Sequence, residues 1–178
     1  MNQLSPKRIL KTDAMNEISP GLPSPGGIVG NLQTLANIDI LEIDPTKVAR
    51  AREMLGKTAT VRLGSISWMP YRDGIFDLII DASTLDHVPQ ERLEQTLFEY
   101  WRVLRVGGHA AIMVWSTGNV APYVTNNEHT WTPDYTCYFA DSVLEKAIAD
   151  RFEVVERQRF YEDDHGVMTY FLVKKESE

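Results

Sequence analysis

The sequence predicts a doubly wound α/β sandwich that ends in an antiparallel edge hairpin. Three observations carry this reading. Short strand-like runs alternate with segments of helical periodicity, which requires crossovers and a parallel sheet covered on both faces. One run, Phe76-Asp-Leu-Ile-Ile-Asp-Ala82, has the continuous apolar centre of a strand buried on both faces. The last two runs are joined only by Tyr161–His165, too short for a crossover, so they pair antiparallel.

Taken in order, residues 1–12 read as an N-terminal tail, and Ala14-Met-Asn-Glu-Ile18 reads as the first strand. Three prolines and three glycines between Ser19 and Gly27 make a loop, because proline lacks the donor and glycine the restraint that regular structure needs. Ile38-Asp-Ile-Leu-Glu-Ile43 is the next strand, and Pro45 suits the first position of a helix to about Leu55. Thr58–Leu63 is a third strand, stopped by Gly64, and Phe76–Ala82 is the fourth. Leu93, Leu97, Tyr100, Trp101 and Leu104 recur at three- and four-residue spacing, which predicts a helix over 89–104, ended by Gly107-Gly108. His109–Trp115 is the fifth strand; a helix at about 141–150 and strands at 152–160 and 166–174 follow. The connection over 116–139 is long for a loop, and long loops are often functional, so it is a candidate substrate loop.

Composition narrows the function. With 178 residues the chain fits one domain, 1–178, and 43% hydrophobic residues supply a core. Eighteen basic against 25 acidic side chains give a net charge of −7, which argues against nucleic acid and against an anionic membrane surface as partners. Cys137 is the only cysteine, so neither an intrachain disulfide nor a cysteine-built metal site can form. The longest apolar runs, Leu78–Ile80 and Ala110–Trp115, fall far short of the roughly 20 residues that cross a bilayer. With no signal-peptide pattern at the start, a cytoplasmic protein is expected.

In a sheet of this kind ligands bind beyond the carboxyl ends of the strands. Gly21, Gly26 and Gly27 would let backbone approach a ligand closely. Glu42 ends the next strand, where a carboxylate can accept both hydroxyls of a ribose. Gly64-Ser-Ile-Ser-Trp-Met-Pro70 offers a polar side chain followed by apolar ones, suited to the edge and face of adenine. No Gly-x-x-x-x-Gly-Lys-Ser/Thr or full Gly-x-Gly-x-x-Gly loop is present, so the cleft is shaped for a nucleoside rather than for a phosphate chain.

Gly64–Asp77, then Leu85-Asp-His-Val88, then Tyr100-Trp-Arg-Val-Leu-Arg-Val-Gly-Gly108 resemble class I S-adenosylmethionine (SAM)-dependent methyltransferases, in the small-molecule branch that includes ubiquinone-biosynthesis-like enzymes. The resemblance spans about 14–175. It implies a Rossmann-like sheet of seven strands, SAM as methyl donor with S-adenosylhomocysteine as product, and a small or medium-sized acceptor. It implies cofactor-binding roles for Glu42 at the ribose, for Ile43 next to it, for Ser65 and Ile66 at the adenine, and for Asp81, Ala82 and Leu85 beneath the methionine part. The family pattern acid-x-Gly-x-Gly-x-Gly reads here as Glu17-Ile-Ser-Pro-Gly-Leu-Pro23, which assigns Glu17, Ser19 and Gly21 to the first loop and keeps only the acid and the central glycine.

His87 is a candidate general base, although its bland role is to shape the start of the following helix. Trp115, Tyr123, Trp131 and Tyr135 are candidate substrate contacts. Relatives usually carry helices ahead of the first strand. Here the cleft would be closed by the 116–139 loop, by substrate, or by a second subunit or partner protein. Two other readings compete. The altered first loop fits a non-catalytic methyltransferase-like partner or regulatory protein. Tyr170 and Lys174 have the spacing of a nicotinamide-dependent dehydrogenase pair, but they lie on a strand rather than one helix face. No metal site is expected; Asp163-Asp-His165 reads as a solvated turn.

Overall fold

The structure is a computed structural model, and it describes residues 5–19, 27–118, 123–125, 136–162 and 166–177. Its strands are β1 (Arg8–Lys11), β2 (Asn37–Glu42), β3 (Thr60–Leu63), β4 (Phe76–Ala82), β5 (Leu104–Ser116), β6 (Tyr123–Thr125), β7 (Thr136–Tyr138), β8 (Glu153–Glu162) and β9 (Val167–Lys174). Its helices are α1 (Met15–Ile18), α2 (Gly27–Leu32), α3 (Pro45–Leu55), α4 (Leu93–Val103) and α5 (Asp141–Ala149). Seven strands form one sheet in the order β3-β2-β1-β4-β5-β9-β8, parallel as far as β5, with β9 antiparallel to both of its neighbours. The predicted sandwich and its edge hairpin are therefore present. β6 and β7 form a separate ribbon.

The first strand corrects the sequence reading. β1 is Arg8–Lys11, inside the expected tail of 1–12, and Met15–Ile18 is one helical turn rather than a strand. The four strand residues carry charges at both ends, which hid the pattern. Both charges are matched by neighbours. Arg8 donates to Asp39 at 2.9 and 3.2 Å, and Lys11 donates to Asp13. Asp13 Oδ1 accepts the Met15 N–H at 2.7 Å, an Asx turn that leads into the helical turn.

Other elements follow their local chemistry. Asp44 caps α3 through the N–H groups of Thr46 and Lys47, Pro45 occupies its first turn, and Gly56 at φ 54° ends it. Expected over 89–104, the second long helix is shorter: two single 3₁₀ turns, Leu85–His87 and Gln90–Arg92, precede α4. The Gly107-Gly108 pair lies within β5, not at the helix end.

Each face of the sheet has its own core. Leu97, Tyr100, Leu144 and Ile148 of α4 and α5 pack on Ile79, Ile112, Val114 and Phe171. On the other face Val29, Val48, Ala51 and Leu55 of α2 and α3 pack on Ile38, Ile40 and Val61. That second layer covers β1 to β3. Farther along the same face, Ile80, Ala111 and Leu172 lie side by side, followed by Ala82, Met113 and Tyr170, and all six stay half-buried. Among the described residues, no helix is long and apolar enough to cross a membrane.

Gly108 is closely approached by backbone of β4 and β5. A Cβ there would stand 2.8 Å from the Arg105 carbonyl oxygen and 3.2 Å from that of Phe76. Backbone cannot swing aside as a side chain can, so Gly108→Ala should cost about 1–3 kcal/mol. Thermal unfolding should show a loss of roughly 5 °C; an unchanged melting temperature would contradict the close approach.

Candidate functional site

The carboxyl ends of β1 to β4 converge on a cleft of about 200 Å³. Thr12 and Asp13 follow β1, Glu42 and Ile43 end β2, and Gly64, Ser65, Ile66 and Ser67 follow β3. Thr84, His87, Val88, Pro89 and Arg92 close it from the β4 side.

Glu42 is the best-defined acid of the cleft. It is buried, with Oε2 accepting the Ala14 N–H at 3.1 Å and Oε1 accepting the Asp44 N–H at 2.9 Å. Each carboxylate oxygen has a further lone pair, so this fixed acid can still accept from a ligand's hydroxyls. Beside it Ile43 is 65% exposed, an apolar side chain largely open to solvent. Ser65 Oγ accepts the Ser67 N–H at 3.2 Å in a tight turn, and Ile66 is buried behind it.

The loop after β4 is built on buried acids. Asp81 Oδ1 accepts the N–H groups of Thr84 and Leu85 at 2.8 and 3.3 Å, and Oδ2 accepts the Tyr100 hydroxyl. Burial pushes the Asp81 carboxyl up to about 7 against these hydrogen bonds, and burial also raises the Tyr100 hydroxyl. Asp86 accepts from Ser83 Oγ at 2.9 Å, and burial raises its carboxyl too. Ser83 bends the chain with φ 64°, a strained conformation for a residue with a Cβ. The bend delivers Thr84 and His87 to the cleft wall.

The expected site residues separate into groups. Glu42, Ile43, Ser65, Ile66 and His87 come together on the cleft. Asp81 and Leu85 are buried behind it, the latter in the core with Leu97 and Tyr100, and Ala82 lies on the half-buried sheet face. Glu17 is fully buried at the start of α2, where its carboxylate accepts the N–H groups of Ile28 and Val29 at 3.0 and 3.1 Å. Burial raises its carboxyl as well. Ser19 Oγ donates to the Met15 carbonyl, closing that helical turn. Trp115 sits at the end of β5 with ring centroids 6.0 Å from Tyr138 and 5.8 Å from Tyr161. Tyr123 belongs to β6, while Gly21, Trp131 and Tyr135 lie outside the described residues.

Sequence reasoning missed Lys11, Thr12, Asp13, Thr84 and Arg92. The first three were hidden by the misplaced first strand. Thr84 was a polar residue of the loop that Asp81 opens, a signal that was available. Arg92 gave none, since its approach to the cleft depends on the 3₁₀ turn that carries it.

A sheet in this order, with a ribose-competent acid after β2 and a nucleoside-sized cleft at its carboxyl edge, has the architecture of class I SAM-dependent methyltransferases. Residues 24–112, half of the chain, match the methyltransferase domain family. The chain belongs to that family. No curated protein matches its sequence. Among solved structures, a SAM-dependent methyltransferase from Methanosarcina mazei superposes with TM-score 0.73 at 16% identity, over 99% of this chain and 95% of that one. The 1,6-didemethyltoxoflavin-N1-methyltransferase of Burkholderia thailandensis, with its substrate and S-adenosylhomocysteine bound, gives 0.71 at 16% identity over 97% and 72%. The [4+2]-cyclase SpnF gives 0.71 at 12% over 97% and 76%. Such low identities establish the fold they share.

Proposed function

We propose that the chain, as one domain over 1–178, transfers a methyl group from SAM to a small or medium-sized organic acceptor. The observation that carries this is the buried, backbone-fixed Glu42 beside the exposed Ile43 and the Ser65-Ile66 turn, in a member of the methyltransferase domain family. These residues fit the nucleoside of SAM: Glu42 would hold the ribose hydroxyls, and Ile43, Ser65 and Ile66 the adenine. When bound, SAM supplies an electrophilic methyl group on a sulfonium. The protein's own task is then alignment, since an acceptor that is already nucleophilic needs mainly orientation.

His87 borders the cleft and is the group we assign to receive a proton where the acceptor carries one. Trp115, with Tyr123, Trp131 and Tyr135 of the 116–139 loop, is assigned to the acceptor side. The Burkholderia enzyme holds bound 1,6-didemethyltoxoflavin, which supports a small-molecule substrate here. Closure of the cleft by a second subunit or partner protein, and a cytoplasmic location, belong to the same proposal.

Calorimetric titration with SAM and S-adenosylhomocysteine tests it. Micromolar binding, about −8 kcal/mol, is expected. A folded protein that binds neither up to millimolar ligand would favour the non-catalytic partner instead.

A further inference from the structure

The turn after β3 is anchored on both sides of one exposed ring. Ser67 is buried, and its hydroxyl meets that of Thr96 at 2.8 Å. Met69 is buried as well, and its N–H donates to Glu99 Oε2 at 2.6 Å. The Trp68 N–H donates to the Ser65 carbonyl at 3.1 Å and closes the turn. Between these anchors Trp68 is 66% exposed. Among the described residues no other ring and no cation stacks on its indole. Leaving so large an apolar side chain in water forgoes the stabilisation that its burial would bring.

The position of this ring is specific. Ser65 and Trp68 form an antiparallel bridge. Residues opposite each other in such a bridge share a face, with Cβ atoms about 5 Å apart. Ser65 lines the cleft, together with Ile66, Ser67 and, from the end of β2, Ile43. Trp68 therefore stands at the rim, beside the end of the cleft assigned to adenine. Ile43, at the same end, is the other large apolar side chain open to water.

We infer that Trp68 is an aromatic cap for the base of the cofactor. Rotation of its side chain lays the indole on one face of the adenine, while Ile43 meets the other. This rests on the proposed cofactor reading and adds to it a residue that closes the site. Stacking on an aromatic ring draws on the π-face of the base and needs no hydrogen-bonding partner. The backbone of the turn is already fixed, and an indole has few torsions to order, so closure is entropically cheap. The exposed ring then loses its contact with water only when ligand arrives.

The experiment is titration of the intact protein and two variants with S-adenosylhomocysteine, read by calorimetry and by tryptophan emission. Trp68→Ala should weaken binding by about tenfold or more, whereas Trp68→Phe, which keeps an aromatic face, should stay within about threefold. Ligand should change the emission of the wild-type protein, and most of that change should be missing from Trp68→Phe. Replacing an exposed side chain leaves the core intact, so the melting temperatures of all three proteins should match. Unaltered affinity in Trp68→Ala, or equal losses in both variants, would overturn the inference while leaving the cofactor assignment intact. A wild-type protein that binds no S-adenosylhomocysteine would overturn both.

Discussion

Replacing Asp81 with Asn should remove most of the fall in stability that the protein shows as pH rises from about 4 to 7. Burial lifts this carboxyl from an ordinary 3.8 to about 7, so the folded state keeps a proton that the unfolded chain has already lost. A raised folded-state value contributes stability that is complete below the unfolded value and is lost as pH climbs through the folded one. At about 1.4 kcal/mol per pH unit the contribution is of the order of 4 kcal/mol. For a chain of this size that corresponds to roughly 10 °C in melting temperature. Asn keeps an oxygen for the Thr84 and Leu85 N–H groups and offers an N–H to the Tyr100 oxygen, so the loop keeps its shape. Glu17 and Asp86 are shifted in the same direction by burial, so a residual slope should persist. Melting curves across this window for both proteins decide the matter. Equal slopes would remove Asp81 as the source.

Glu42→Ala should abolish measurable SAM binding. A buried carboxylate accepting two ribose hydroxyls makes two charge-assisted hydrogen bonds, each worth about 1.5–3 kcal/mol, so their joint loss is on the order of a hundredfold or more in affinity. The same change strands the Ala14 and Asp44 N–H groups, which costs stability and complicates the reading. Glu42→Gln separates the two effects because it keeps one acceptor oxygen. Its affinity should fall by about tenfold with the fold retained, as judged by calorimetry beside circular dichroism. Undiminished binding in either variant would remove Glu42 from the ribose site.

Most of the sheet was legible in the sequence because interior strands such as Phe76–Ala82 have apolar centres and because Pro45 and Gly56 mark the ends of α3. The exception was β1. Its flanking Arg8 and Lys11 look like a solvated tail until Asp39 and Asp13 are brought beside them by partners 31 and 2 positions away. The acid of the second strand was legible for the same reason that β2 was: Glu42 closes an apolar run. Glu17 was misplaced with β1, since an acid near a glycine-rich loop looks alike whether it faces a ligand or caps α2. The burial of Asp81 could be read from its strand, but its bond to Tyr100, 19 residues on, needed the packing of α4.

The position of β1 also sets the order in which the molecule can be assembled. This four-residue strand lies between β2 and β4 and, among the described strands, alone links the two halves of the sheet. It leaves the ribosome before every other described strand, yet Ile9 must wait for Leu78 to complete its pairing. Closing so long a loop onto so short a strand is a late and entropically costly step. Both halves must pair with β1 before the native topology is complete.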